Sequence, residues 1–102
     1  MNISVLTPDK ELFHGSIASV KVPGTQGQFQ ILNNHAPIVS SLEEGIVYIV
    51  TAVGNYRYFD EESGAVKDGT EAGRTISFKI AGGFVEVLNN EVSLLVRGVK
   101  EV

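Results

Sequence analysis

The sequence contains no cysteine among its 102 residues. Disulfide frameworks, cysteine-ligated zinc, iron–sulfur clusters and thiol catalysis are therefore excluded, and nothing in the chain requires an oxidising compartment. Histidine is nearly as scarce, with two copies, and neither an H-E-x-x-H nor a G-x-S-x-G pattern accompanies them. A metal site and a serine hydrolase site are both poorly supported. We expect no catalytic residue, no metal ligand and no cofactor.

Phosphate-binding and paired-carboxylate motifs are missing as well. The GTQG stretch at Gly24–Gly27 is neither a dinucleotide fingerprint nor a P-loop, and no helix follows it. The adjacent pairs Glu43-Glu44 and Glu61-Glu62 would point to opposite faces of an extended chain, which makes them unlikely acid/base partners. An acid/base pair formed by carboxylates on two different strands stays an open alternative at this point.

The chain also lacks a long apolar run and a basic leader. Its longest wholly apolar stretch is Ile46–Val50, whereas a membrane-spanning helix needs roughly 20 residues. The N-terminus has no cluster of positive charge ahead of an apolar run, so it does not resemble a signal peptide. We expect a cytoplasmic chain that meets a membrane only through partners.

Charge is unevenly distributed. The formal net charge is -4, and residues 60–73 hold five acidic side chains against one lysine, which leaves seven acidic and seven basic residues elsewhere. Because no basic stripe remains, a nucleic-acid partner is not expected. Residues 60–73 lack a core pattern and are predicted to form an exposed acidic loop or hairpin tip, with a dedicated binding site as the alternative.

Apolar residues recur with a period of two, and no window of a dozen residues keeps a helical period. In Thr75–Ile80, for example, three apolar residues alternate with three polar ones. Asn89-Asn90 separates two further alternating runs, which predicts a hairpin because asparagine tolerates the left-handed conformation of a tight turn. The pattern predicts one all-β domain over residues 1–102, a sandwich or a barrel of short strands.

The remaining predicted elements follow the same reasoning. Ile46–Val50 is apolar on both faces, so it is either buried wholly within the domain or covered on one side by a partner. Ser40–Glu44 is expected to make a brief helical turn. Further strands are predicted at Ile3–Leu6, Glu11–Phe13, Ile17–Val22, Gln28–Leu32 and Tyr56–Phe59, with turns at Gly15, Gly24, Gly27, Gly45 and Gly54.

His35 lies in a restrained stretch of chain, because Pro37 holds Ala36 in extended geometry. Two interpretations are compatible with this position. The ring nitrogen can bond a nearby carbonyl and shape the turn, or the side chain can contact another protein. The other histidine, His14, precedes a glycine and is expected to be exposed.

Several motifs occur in an order and at a spacing that match a known family, and together they span nearly the whole chain. The combined G-x-F-x-I-L-x-x-H-A-P and G-G-F-x-E-V patterns are the most specific. The motifs are Leu6-Thr7-Pro8, Leu12-Phe13-His14-Gly15, Val22-Pro23-Gly24, Gly27-Gln28-Phe29-Gln30-Ile31-Leu32, His35-Ala36-Pro37, Leu42, Gly45-Ile46-Val47 and Ile80-Ala81-Gly82-Gly83-Phe84-Val85-Glu86-Val87, followed by Asn90, Val92 and Leu94. In these features the chain resembles the epsilon subunit of bacterial and chloroplast rotary (F-type) ATP synthases, specifically its N-terminal β-sandwich domain.

Three departures from the family pattern bear on what the resemblance implies. The family has glycine where Gln30 stands and proline-glycine where Asn33-Asn34 stand, and residues 60–73 are longer than the usual connection. Many members continue into two C-terminal helices, whereas this chain stops at Val102, as expected either of a naturally short subunit or of a truncated one. Regulatory inhibition and nucleotide binding belong to those helices, so the resemblance does not extend to them.

The resemblance implies an antiparallel β-sandwich of about ten strands that acts as a non-catalytic rotor subunit of a proton-translocating ATP synthase. Such a subunit is monomeric when isolated and peripheral at the cytoplasmic face of the bacterial inner membrane, and it binds the gamma subunit and the c-ring without a cofactor. The positions matching the family's c-ring contact are Gln26, Gly27, Gln28, Gln30, Asn33 and Asn34. Those matching its gamma contact are Thr7, His35 and Ser40.

Two other classes of protein stay open on the sequence. A stand-alone sandwich that binds peptide or carbohydrate would use the same fold but should display exposed aromatic side chains. A small β-sandwich enzyme would need a catalytic constellation that the sequence does not show.

Overall fold

The structure is a computed structural model that describes residues 1–60 and 63–101. It confirms the all-β prediction, since those residues form strands and turns and no helix. The strands are β1 (Asn2–Leu6), β2 (Glu11–Gly24), β3 (Gly27–Leu32), β4 (Ile38–Leu42), β5 (Gly45–Asp60), β6 (Ala65–Gly69), β7 (Thr75–Ile80), β8 (Gly82–Leu88), β9 (Glu91–Arg97) and β10 (Lys100–Glu101). No helix in the described part of the chain is long and apolar enough to cross a membrane.

Two long strands organise the fold into two layers. The first layer contains β3, the second half of β2, the first half of β5, β7 and β10, in that order. The second layer contains β4, β8, β9, β1, the first half of β2, the second half of β5 and β6. β2 and β5 run through both layers. The register of this pair shifts between Gly15 and Ser19 of β2, where the two strands pass from one layer to the other.

The predicted β-sandwich is confirmed, with one detail of pairing that differs from the expectation. β1 lies parallel to β9, while the other pairs of strands in the described residues are antiparallel. The parallel pair arises because β1 is inserted between β9 and β2, which belong to different hairpins. Alternation along single strands could not reveal that insertion, because it depends on contacts far apart in sequence.

Both layers contribute inward side chains to one hydrophobic core, as alternation requires. In β9, for example, Val92, Leu94 and Val96 are buried, while Glu91, Leu95 and Arg97 point outward. The largest buried side chains are Tyr56 and Phe13, whose rings stack at 5.5 Å between centroids. Their contact joins the two long strands at the bend of the sandwich.

Three local predictions are wrong. Gly54 is not a turn but an interior position of β5, where its φ of 129° is one that glycine adopts without strain. Ser40–Glu44 does not form a helical turn, because residues up to Leu42 belong to β4 and pair with β8. Gly15 is not a turn but an interior position of β2. A methyl group there would lie 2.4 Å from Cβ of Tyr56, so glycine is needed for the close approach of β5 and not for chain reversal.

The segment predicted as an exposed acidic loop includes strand β6, which pairs with β5 from Tyr56↔Gly69 to Asp60↔Ala65. The connection from β6 to β7 is tied down by Thr51, whose buried hydroxyl donates to the Glu71 carbonyl at 2.6 Å and accepts from the Arg74 amide at 2.9 Å. Glu61 and Glu62 lie outside the described residues, so the prediction for the tip stays a prediction.

Candidate protein-binding surfaces

A two-residue hairpin loop connects β2 to β3 and carries the first of the sequence-predicted contact residues. Gly24 pairs with Gly27 across the turn, which leaves Thr25 and Gln26 at its tip. Gly27 has φ of 120°, a value in the left-handed region that glycine adopts without strain. Gln26, Gly27 and Gln28 are all exposed, so the turn presents polar groups to its surroundings.

β3 is an edge strand with a polar outer face. Among the described strands it pairs with β2 alone. Alternation turns Gln28 and Gln30 outward, while Ile31 is buried and Phe29 packs against the core. Phe29 and Ile31 therefore belong to the core side of the strand, and Gln28 and Gln30 lie in one row on its outer side.

The Asn33-Asn34 turn follows β3 and is tied to a second turn. Asn34, with φ of 63°, donates its amide to Oδ1 of Asn90 at 2.8 Å. Nδ2 of Asn90 donates to Oδ1 of Asn33 at 2.9 Å, and the Met1 amine donates to the same oxygen at 3.3 Å. Sequence reasoning identified Asn89-Asn90 as a hairpin turn, which is confirmed, but missed that it lies beside Asn33-Asn34.

His35 shapes the end of this turn. Its backbone amide donates to the Leu32 carbonyl at 3.1 Å, and Nδ1 lies 2.7 Å from the Ala36 carbonyl. Because a carbonyl can only accept, Nδ1 carries the hydrogen in this contact. The turn-shaping interpretation of His35 is therefore what the geometry shows, and the half-buried ring leaves its other nitrogen for a second contact.

The outer face of the second layer carries a row of apolar side chains. Leu6 of β1 lies opposite Leu95 of β9, and Leu95 lies opposite Phe84 of β8. Leu95 is 50% exposed and Phe84 is 56% exposed, so both are left open to solvent. The row lines an open groove of about 530 Å³, which we call the apolar groove and which also borders Thr7, Pro8 and Ser41.

The three predicted gamma contacts occupy different places. Thr7 borders the apolar groove, and its hydroxyl accepts from the amides of Asp9 and Lys10 at 3.3 and 3.1 Å. Ser40 lies in β4 and lines a second concavity, which it shares with the β2–β3 turn. His35 lies beside Asn34. The structure thus brings Ser40 close to Gln26–Gln28 and Thr7 close to the apolar row.

The predicted c-ring contacts divide between the two ends of β3. Gln26–Gln28 lie at its beginning and Asn33-Asn34 just after its end. Since a strand rises by about 3.3 Å per residue, the two groups are separated by roughly 20 Å. Gln30 lies between them on the outer face, so the six residues form one polar line along the edge of the first layer.

A smaller cavity of about 120 Å³ lies between β2, β5 and β7, and it is lined mainly by half-buried apolar side chains. The Arg74 guanidinium sits at this cavity, 3.4 Å from the Tyr56 hydroxyl and 5.3 Å from the centre of the Tyr58 ring. Hydrogen bonds to Tyr56 and then to Tyr58 raise the pKa of Arg74 above its usual value. The group stays a cation at any physiological pH.

Within residues 1–60 and 63–101, neither a cluster of metal-ligating side chains nor an unpaired buried polar side chain marks a chemical site. No three His, Asp or Glu side chains of that part are placed to hold a metal ion. Its buried side-chain nitrogen and oxygen atoms all have hydrogen-bond partners. The surfaces that stand out are a polar edge and an apolar face.

The chain is thus a β-sandwich domain that presents a polar edge and an apolar face, which are features found at interfaces between proteins. The family model described as "ATP synthase, Delta/Epsilon chain, beta-sandwich domain" matches residues 1–70. The chain belongs to this family, which confirms the resemblance stated from the motifs.

Curated relatives agree with this assignment. The ATP synthase epsilon chain of Leptospira borgpetersenii is 34% identical over 95 residues, which cover 93% of this chain and 59% of the relative. That of Hyphomonas neptunium is 33% identical over 101 residues, which cover 98% of this chain and 73% of the relative. The chain thus spans only about 59% of the Leptospira relative.

Two solved structures share the fold. A chain in the cryo-EM structure of Euglena gracilis mitochondrial ATP synthase, OSCP/F1/c-ring, aligns with a TM-score of 0.71 at 18% identity and covers 97% of this chain and 51% of the other. A chain in the cryo-EM structure of the Tetrahymena thermophila mitochondrial ATP synthase central stalk/c-ring aligns with a TM-score of 0.68 at 19% identity. The alignment covers 99% of this chain and 66% of the other. Identities this low establish the likeness of fold alone.

Proposed function

We propose that the chain is a non-catalytic central-stalk subunit of a proton-translocating ATP synthase. In this role it binds the gamma subunit and the membrane c-ring, turns with them and couples rotation to ATP synthesis. It lies peripherally at the cytoplasmic face of the bacterial inner membrane and reaches the membrane only through these partners. Family membership and the names of the relatives support the proposal.

The observation that carries the proposal is the apolar row of Leu6, Leu95 and Phe84. Stable interfaces between proteins need an apolar centre with a polar rim. The row supplies the centre, and Thr7 and Ser41 supply part of the rim. We assign this face to the gamma subunit, because Thr7 is one of the positions that match the family's gamma contact.

The polar line along β3 is assigned to the c-ring. An edge strand exposes unpaired backbone groups as well as side chains, so it can accept hydrogen bonds from a partner and donate to it. Gln28 and Gln30 add amide groups that both donate and accept. Such an edge suits contact with polar loops, whereas the apolar groove suits a packed interface.

A subunit that transmits torque must resist shear between its two layers. The two layers share β2 and β5, so a load applied to one layer reaches the other through continuous backbone. The core between them is packed from both sides, and protein interiors have low compressibility. The fold therefore suits a stiff connector between two partners.

Binding to purified gamma subunit tests the proposal directly. We expect a complex at micromolar concentrations of the folded chain, measured by calorimetry or by co-elution. Absence of association, with the β-sheet circular dichroism signal intact, would contradict the rotor assignment and favour a stand-alone module that binds peptide or carbohydrate.

A further inference from the structure

We infer that the apolar groove takes a partner segment in which apolar side chains are followed by a carboxylate, and that Arg97 is the residue that pairs with this carboxylate. The inference rests on the proposed function in identifying the partner as the gamma subunit. It goes further in naming the chemistry of the segment and the residue that selects it.

Arg97 lies at the end of β9 and points to the outer face of the second layer. Val96 before it is buried, so Arg97 shares its direction with Leu95, two residues earlier. Residues two apart on a strand lie about 7 Å apart on the same face. Arg97 also lines the apolar groove. The cation therefore stands at the end of the exposed apolar row.

The guanidinium lies against a glycine on the neighbouring strand. Gly82 of β8 is the direct cross-strand partner of Arg97. A methyl group at Gly82 would lie 2.6 Å from Nη1, 2.8 Å from Nη2 and 2.9 Å from Cζ. The planar group thus lies against the Gly82 backbone in a space that any other residue would fill, and Gly82 is buried beneath it.

Within the described residues no carboxylate lies within 4 Å of this guanidinium. The two ion pairs of that part are Arg57 with Glu11 and Lys67 with Asp60. Arg97 therefore has a neighbouring apolar surface and no counter-ion within the part of the chain that the structure describes. A guanidinium offers paired donors that match a carboxylate in two parallel hydrogen bonds.

A cation beside an apolar row favours one kind of partner. Apolar side chains that cover Leu6, Leu95 and Phe84 would exclude water around the guanidinium, and an ion pair is stronger when it is shielded from water. A partner segment without a carboxylate at that point would instead leave the cation covered and unpaired, which is costly. The charge therefore contributes to specificity as well as affinity.

The test uses purified gamma subunit and the variants Arg97→Glu, Arg97→Lys and Gly82→Ala. Lys79→Glu is the matched control, because Lys79 is exposed on the other layer and its replacement changes the net charge equally. We expect Arg97→Glu to weaken gamma binding about tenfold or more. Arg97→Lys should weaken gamma binding several-fold, because lysine lacks the planar pair of donors. Gly82→Ala should also weaken it several-fold, because the added methyl group displaces the guanidinium. Lys79→Glu should bind like the unmodified chain.

A second measurement separates charge pairing from simple packing. Binding of the unmodified chain should weaken as salt is raised from 50 to 500 mM, and the Arg97→Lys variant should keep most of that dependence while Arg97→Glu loses it. Equal affinity of Arg97→Glu and Lys79→Glu for gamma would overturn the role of Arg97 and leave the rotor assignment standing. Failure of the unmodified chain to bind gamma would overturn both.

Discussion

The side chain of Asn90 holds Asn33 through a hydrogen bond of 2.9 Å between Nδ2 and Oδ1, across 57 positions of sequence. Its own Oδ1 accepts from the Asn34 amide at 2.8 Å. One amide group therefore ties the turn after β3 to the turn between β8 and β9. The Asn33-Asn34 end of the proposed c-ring edge is therefore held by this side chain.

Replacement of Asn90 by glycine is expected to loosen this end of the edge. Glycine adopts the left-handed φ of 63° without strain, so the variant removes the two hydrogen bonds and little else. We expect a loss of about 1–2 kcal/mol in the free energy of unfolding, measured in urea. Asn89→Gly is the control, since Asn89 has a similar φ of 50°. Equal stability of the two variants would argue against the tie.

Attachment to the c-ring should depend on Gln28, which lies at the start of the polar line. Replacement by arginine puts a bulky charge on an exposed side chain, so the fold should be intact while ring binding weakens by about tenfold. The measurement is the amount of c-ring that co-purifies with the assembled synthase, together with ATP-driven proton pumping. Thr75→Arg, an exposed change on β7 of the same layer, should leave both unaltered. Unchanged coupling in Gln28→Arg would contradict the proposed edge.

Local alternation was enough to predict most strands. Thr75–Ile80 was predicted from six residues, and it coincides with β7. Gly15 and Ser40–Glu44 were misread because their conformations follow from partners distant in sequence. Gly15 lies in a strand because Tyr56 packs against its backbone, and Ser40 extends because β4 pairs with β8. Such pairing overrides local turn preferences.

The candidate surfaces, like the strands, could be predicted from the sequence only in part. The polar residues of β3 were found from the family motifs, and the structure places them along one edge. The apolar row escaped prediction because Leu6, Phe84 and Leu95 come from three strands, and each alone is an ordinary outward residue. Only the register of β1, β9 and β8 brings them side by side. Register across strands is set by the whole fold and not by any one segment.

Gamma binding should be sensitive to the centre of the apolar row. Leu95 is 50% exposed and lies between its cross-strand partners Leu6 and Phe84, so Leu95→Glu places a charge at the centre of the row. We expect gamma binding to weaken by about tenfold or more without a change in the unfolding midpoint. Val66→Glu on β6 is a matched change, because Val66 is 64% exposed on a strand away from the groove. If both variants bind gamma equally, the groove is not the contact.

The stability of the β6–β7 connection should depend on the Thr51 hydroxyl. This side chain is 1% exposed, and its oxygen bridges the Glu71 carbonyl and the Arg74 amide. Valine has the same shape but cannot donate or accept, so Thr51→Val leaves both backbone groups without this partner. We expect a loss of about 1–3 kcal/mol in the free energy of unfolding and faster exchange of the Arg74 amide hydrogen.

Serine at the same position separates the hydroxyl from the methyl group of Thr51. Thr51→Ser keeps the bridge and loses only one buried methyl, which costs about 1 kcal/mol. Slow exchange of the Arg74 amide should therefore persist in Thr51→Ser and be lost in Thr51→Val. Two backbone hydrogen bonds also join Thr51 to the connection, one from the Thr51 amide to the Arg74 carbonyl and one from the Gly73 amide to the Thr51 carbonyl. If the Arg74 amide exchanges as slowly in Thr51→Val as in Thr51→Ser, these two bonds hold the connection without the side chain.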